Sequence, residues 1–213
     1  MPHQFSTLTF TPSVKAVQDE MGSRRAGDAL SARAPANDAL SADERSFIAL
    51  RDSFYMASVT ESGWPYVQHR GGPAGFLRVL DDRTLAFADV TGNRQYISAG
   101  NLRASDRVAL FLMDYPHQAR LKILGHADLL PWADAPPWKT DLLLDPHARP
   151  ERVLLIHLAA FDWNCPQHIT PRWTADEILR SPVGQRLAAL KSENEKLRQA
   201  LALATRISTP ADR

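Results

Sequence analysis

The sequence predicts a mainly β fold, a small barrel with flanking helices, and three observations carry that expectation. Short apolar runs recur at 54–59, 65–69, 76–80, 84–88, 107–113, 120–127 and 152–161. Each has strand length, and regular strands at short spacing favour a barrel over a layered α/β domain. Turn chemistry separates the runs, as in Glu61-Ser62-Gly63 and Gly71-Gly72-Pro73. Helical patterns are few.

A length of 213 residues suits one core with appendages. The expected division is an arm over 1–40, a barrel domain over 41–175 and a C-terminal helix over 176–213. Lys and Arg exceed Asp and Glu by only 25 to 24, so no overall field draws the chain to nucleic acid or to an anionic membrane. The lone Cys165 excludes an internal disulfide framework. No run has the length of a membrane span and the first residues lack the pattern of a signal peptide, which makes the cytoplasm the expected location.

In order, Ser41-Ala-Asp-Glu44 forms a capping box for a short helix carrying Phe47 and Ile48 toward the core. The period then changes to two, and the segments around Tyr55 and Val67 read as a hairpin. Residues 94–102 read as a helical link between strands. A proline-rich stretch from Pro131 to Pro150 holds one brief helix around 139–144, and the run 152–161 returns to close the barrel. Thr174-Ala-Asp-Glu177 is a second capping box, and Pro182 suits the first turn of a helix running to about Arg206.

The chemistry-bearing residues are cations and amides on these strands and turns. Arg94, flanked by Asn93 and Gln95 at a helix start, combines charge with free backbone donors that favour an anion. Period two places Arg120 and Lys122 on one strand face and Leu121 and Ile123 on the other. Arg70 precedes a glycine pair, with Gln68 and His69 beside it as hydrogen-bonding groups. Taken singly, each reads equally as a solvated outer residue. The chain lacks both the phosphate-cradling G-x-x-x-x-G-K-[ST] loop and the G-x-G-x-x-G fingerprint, so any phosphate would be held by side chains. No histidine spacing suggests a metal, and no Ser, His, Asp arrangement suggests a hydrolase.

Four segments resemble the pyridoxamine 5′-phosphate oxidase-like, FMN-binding split-barrel family. They are Phe87-Ala-Asp-Val-Thr-Gly-Asn-Arg-Gln95, Asn101 with Arg107-Val-Ala-Leu-Phe111, Arg120-Leu-Lys-Ile-Leu-Gly-His-Ala127, and Pro65-Tyr-Val-Gln-His-Arg70. The resemblance implies a homodimer with FMN at the subunit interface, and Arg94, Asn93 and Gln95 as its phosphate ligands. It places Arg120 and Lys122 near the phosphate or ring, and Arg70 near the ring or ribityl chain. Gln95 stands where the oxidases commonly carry lysine. The C-terminal Arg-x-His pair that binds the vitamin B6 phosphate in the true oxidases is not reproduced by Pro171-Arg172-Trp173.

The loop Phe161-Asp-Trp-Asn-Cys-Pro-Gln-His168 adds candidates: Trp163 as a cover for the flavin ring, and Asn164, Gln167 and His168 as bonds to its polar edge or to a substrate. The alternative is a packed loop whose tryptophan fills the barrel end. Cys165 reads as structural rather than nucleophilic. In the last helix Val183, Leu187, Leu190, Asn194, Leu197, Leu201 and Ala204 alternate four and three apart, a coiled-coil seam, with packing on the chain's own barrel as the alternative. The expected function is an FMN-dependent oxidoreductase passing hydride between flavin N5 and a small-molecule substrate or NAD(P)H. A non-catalytic flavin-binding or interaction protein is the alternative, with haem or a deazaflavin as other planar ligands.

Overall fold

The computed structural model describes residues 3–34, 36–163 and 166–208. It divides into two compact units, Met1–Ile169 and Thr170–Arg213.

The first unit begins with three helices, α1 (Gln4–Thr9), α2 (Pro12–Glu20) and α3 (Arg24–Arg33), where the sequence suggested an arm. Asn37 fastens the end of this segment by exchanging hydrogen bonds with the backbone of Phe161. Helix α4 (Ala42–Ala49) starts at the expected capping box, Ser41 and Glu44 bonding each other's backbone, and buries Ile48.

Strands β1 (Ser53–Val59) and β2 (Pro65–Gly71) form the hairpin, turning at Gly63, whose φ of 89° suits a residue without a side chain. The others are β3 (Arg78–Val79), β4 (Thr84–Val90), β5 (Arg107–Asp114), β6 (Ala119–Pro131) and β7 (Pro150–Trp163). All pairings are antiparallel, in the order β2-β1-β5-β6-β7-β4-β3. The return strand β7 thus inserts between β6 and β4, as a closing strand should.

Three local readings are revised. The run at 76–80 shortens to the two residues of β3, because Gly75 at φ 83° makes a turn in which Phe76 and Leu77 are buried outside any ladder. The link helix, α5 (Ile97–Ala104), starts later than expected since Arg94 and Tyr96 are left-handed. The brief helix is a 3-10 turn over Pro137–Leu142, tight enough for its prolines. It buries Leu142 against Val153 and Ala86 on the outside of β7 and β4.

Five strand steps separate β2 from β4, about 24 Å in a flat sheet. Here Arg70 on β2 bonds Asp89 on β4 at 2.9 Å, and the rings of Phe54 on β1 and Phe87 on β4 lie 5.5 Å apart. The sheet is therefore rolled into a barrel that is split between its edge strands. Strand alternation fills it: Phe54 and Met56, Leu85 and Phe87, Leu110 and Leu112, and Leu121 and Ile123 all point inward and are buried. Gly125 permits β6 and β7 to close, since a Cβ there would lie 2.6 Å from the His157 carbonyl oxygen.

The second unit holds α6 (Ala175–Arg180), opened by the predicted capping box of Thr174 and Glu177, and α7 (Pro182–Ser208).

Three stability outcomes follow. Asp89→Ala leaves the largely covered Arg70 without its carboxylate and Arg152 with Glu151 alone, and is expected to cost about 2 kcal/mol in a denaturant titration. Gly125→Ala meets backbone rather than a flexible side chain, and should lower the denaturation midpoint by an amount equivalent to about 2 kcal/mol. The third concerns acid. Burial works against ionisation of Asp114, but the ring and backbone N–H of His117 and the Arg51 charge outweigh it and hold the carboxyl below its usual value. Its contribution is therefore present above the unfolded carboxylate value of about 3.9 and is lost as pH falls through the lower folded value. The stability of Asp114→Asn should decline less steeply with acid below about pH 4 than that of the parent.

Candidate functional site

Beside the split lies a cleft of about 220 Å³, built by β2, the end of β4, the turn at 91–96, the first turn of α5 and the head of β7. Alternation along β2 presents Tyr66, Gln68 and Arg70 to it on one face. Strand β4 contributes Asp89, the polar end of an inward row that begins with Leu85 and Phe87. Asp89 receives Arg70 at 2.9 Å and Arg152 at 2.8 Å, and Arg152 is its register partner on β7. The Arg70 guanidinium also stands 5.6 Å from the centre of the Phe87 ring, which fixes its direction. Its Nε is buried and has no hydrogen-bond partner.

The turn is held in an unusual conformation. The Asn93 side chain accepts the Gln95 N–H at 3.1 Å, while Arg94 and Tyr96 take φ values of 60° and 54°. Left-handed backbone is disfavoured for such side chains. Tyr96 is also the N-cap of α5 and supplies no capping hydrogen bond. First-turn N–H groups of Ile97, Ser98 and Ala99 thus border the cleft without a side-chain acceptor at the cap. Ser98 Oγ donates to Gln68 at 2.7 Å and ties the helix start to β2.

Charge in the cleft is unequal. Arg70, Arg94 and Arg152 face Asp89, with Glu151 just behind. Partial desolvation disfavours the Glu151 charge, but hydrogen bonds from Thr91 and Tyr96 and the charge of Arg152 hold its carboxyl below the usual range. Arg94 is held above its ordinary value by its hydrogen bond with Tyr96, then by attraction to Tyr96 and Glu151. The lining is cationic, polar and rich in backbone donors. Its chemistry matches a phosphate-sized anion continued by a group that can accept a bond from Arg70 Nε.

The structure brings together five of the sequence candidates, Gln68, Arg70, Asn93, Arg94 and Gln95. His69 points to the other face of β2, against the Tyr55 ring at 5.6 Å, though it borders a neighbouring hollow that shares Arg70 and Asp89 with the cleft. Arg120 and Lys122 share a strand face as expected, but it is the outward one. Lys122 pairs with Asp162 at 2.7 Å and borders an apolar groove of about 410 Å³ with Phe5, Tyr55, Val67 and Phe111. The Arg120 guanidinium stands 5.9 Å from the Phe111 ring centre. Trp163 donates its indole N–H to Glu44 at 2.7 Å and meets the Phe47 ring edge-on, so in this chain it locks α4 to the end of β7. Gln167 and His168 occupy an exposed turn, and Asn164 and Cys165 lie outside the described residues. Among the described residues no group of three or more His, Cys, Asp or Glu is placed to hold a metal ion, and no helix is long and apolar enough to cross a membrane.

Sequence reasoning missed Asp89, Arg152, Tyr66 and Tyr96. For Asp89 a signal existed, as the one carboxylate inside Leu-Ala-Phe-Ala-Asp-Val. Arg152 lies near the start of its strand sixty-odd positions away, and the ladder brings the two together.

Residues 40–153 match the family model for pyridoxamine 5′-phosphate oxidase. The match contains every residue named in the cleft. A search of curated proteins returns no match. Among solved structures, HupZ of Group A Streptococcus is 15% identical and aligns with a TM-score of 0.48 over 63% of this chain and 99% of its own. A putative pyridoxamine 5′-phosphate oxidase from Lactobacillus delbrueckii is 19% identical, with a TM-score of 0.46 over 59% of this chain and 94% of that one. An FMN-binding protein from Syntrophomonas wolfei is 12% identical, with a TM-score of 0.43 over 72% and 97%. Since the family match spans more than half of the sequence, this chain belongs to the pyridoxamine 5′-phosphate oxidase family.

Proposed function

We propose that the protein is a flavoprotein that holds FMN in the cleft at the barrel split, at an interface between two copies of the chain, and works as an oxidoreductase. The observation that carries this reading is the turn at 91–96. Its two left-handed residues and the uncapped start of α5 spend backbone energy to gather donors around Arg94. An anionic ligand would offset that cost. Family membership, together with an FMN-binding protein among the structural neighbours, makes FMN the favoured anion.

In this reading Arg94, Asn93 and Gln95 hold the phosphate with the N–H groups of α5. Arg70 remains aimed by Asp89 and offers its unpartnered Nε to the ligand beyond the phosphate. Bound FMN would supply hydride exchange through N5 of its ring, with NAD(P)H or a small molecule as partner. The chain's own task is to bind, orient and exclude water. The second copy is seated on the apolar groove of Tyr55, Val67, Phe111 and Phe5, where Tyr55 and Val67 are exposed although apolar. A substrate other than the vitamin B6 phosphates accords with the missing Arg-x-His pair.

One feature favours the non-catalytic alternative: the cleft lining holds no histidine, cysteine or lysine, and its only carboxylate is committed to two arginines. Retention of FMN without oxidation of NADH or NADPH would favour that alternative.

The purified protein should be yellow and release FMN on denaturation. Arg94→Ala is expected to weaken FMN binding roughly tenfold in a fluorescence titration, the loss of one charge-assisted contact at an exposed position. Arg120→Ala, on the outward groove, should leave the phosphate contribution intact. A protein that takes up no FMN, or an Arg94→Ala variant with parental affinity, would refute the assignment of this cleft.

A further inference from the structure

Helix α7 has 27 residues, and every described side chain from 185 to 202 is exposed. Among the described residues of the helix only Gly184 is buried, where it meets α6 so closely that a Cβ would lie 2.1 Å from the Ile178 carbonyl oxygen. A single helix of this kind is poorly stable in water, because helices in proteins depend on packing an apolar face. The exposed residues include Val183, Leu187, Leu190 and Leu197, which are spaced four, three and seven apart. That spacing makes Leu187, Asn194 and Leu201 heptad a positions and Val183, Leu190 and Leu197 d positions.

We infer that α7 pairs with α7 of a second copy as a parallel, in-register two-stranded coiled coil. Two features select this occupant and this direction. Asn194 is the only polar residue in the seam, and in a parallel pair it meets its own counterpart, where each amide satisfies the other. In that register Glu193 at g also faces Arg198 at e of the partner, an attraction set against one repulsion, Arg186 facing Lys191. An antiparallel pair instead sets a against d, so Asn194 meets Leu190 or Leu197 and its amide loses its counterpart. The seam spans roughly 30 Å of helix, enough for a dimer of moderate strength that adds to any association of the barrels.

Disulfide trapping in the full chain tests this. In a Cys165→Ser background, Leu187→Cys should form a covalent dimer on mild oxidation roughly tenfold faster than Glu195→Cys, which points away from the seam. In the parallel register Leu187 and Leu201 lie two heptads apart, roughly 21 Å. A mixture of Leu187→Cys and Leu201→Cys chains should therefore yield self-linked species and little mixed product. Predominantly mixed product would overturn the parallel register. Equal rates for Leu187→Cys and Glu195→Cys would overturn pairing through this seam. Sedimentation of the uncrosslinked chain separates this from the FMN-interface reading: a dimer that shows no preference for Leu187→Cys leaves the barrels associated and removes the helix from the interface.

Discussion

The Asp89 carboxylate, gripped by Arg70 and Arg152, is the interaction on which the site depends. It joins three strands, β2, β4 and β7, of which the first is five ladder steps from the second. A sheet rolled by its own twist does not specify how far its edges approach. A nearly buried carboxylate does, because it must keep both partners or stay desolvated and unpaired. Such a triad is a poor source of net stability, since the charges lose water to form it. What it supplies is geometry. The split stays at one width, Arg70 stays aimed across it, and β2 becomes a wall of the cleft as well as the outer strand of a hairpin.

That constraint explains why the site is legible only in part from the residues. The apolar periods reveal the strands because burial on one face imposes alternation, and the capping boxes at Ser41 and Thr174 reveal two helix starts because unsatisfied N–H groups demand acceptors. Arg94 could be found the same way, as a cation at a helix start. Arg120 and Lys122 show where such reading stops. Alternation with the buried Leu121 and Ile123 says correctly that they share the outer face, yet it carries no information on which other strands border that face. Arg152 is lost for a related reason: a residue brought to Asp89 by a ladder has no local pattern to betray it.

The shortening of β3 and the late start of α5 belong to one account. In both, the chain leaves regular structure where a residue is left-handed, at Gly75 and at Arg94 and Tyr96. Glycine at the first makes the turn inexpensive. Arginine and tyrosine at the second do not, and no packing requirement of the core is served by them, because both are exposed or half-exposed. The left-handed pair therefore shapes the cleft rim rather than the core.

The distribution of apolar surface leads to the same view of assembly from a different direction. The barrel hides its large inward side chains, but Tyr55 and Val67 stay exposed on the outer groove, and the leucines of α7 stay exposed along its seam. A lone chain would keep both surfaces wet at a cost of about 25 cal/mol for each Å² of apolar area left uncovered. Their geometries differ, one a concave patch beside Lys122 and the other a narrow stripe with a polar residue in its middle. The first suits a broad contact with another apolar surface. The second suits a partner in one register only.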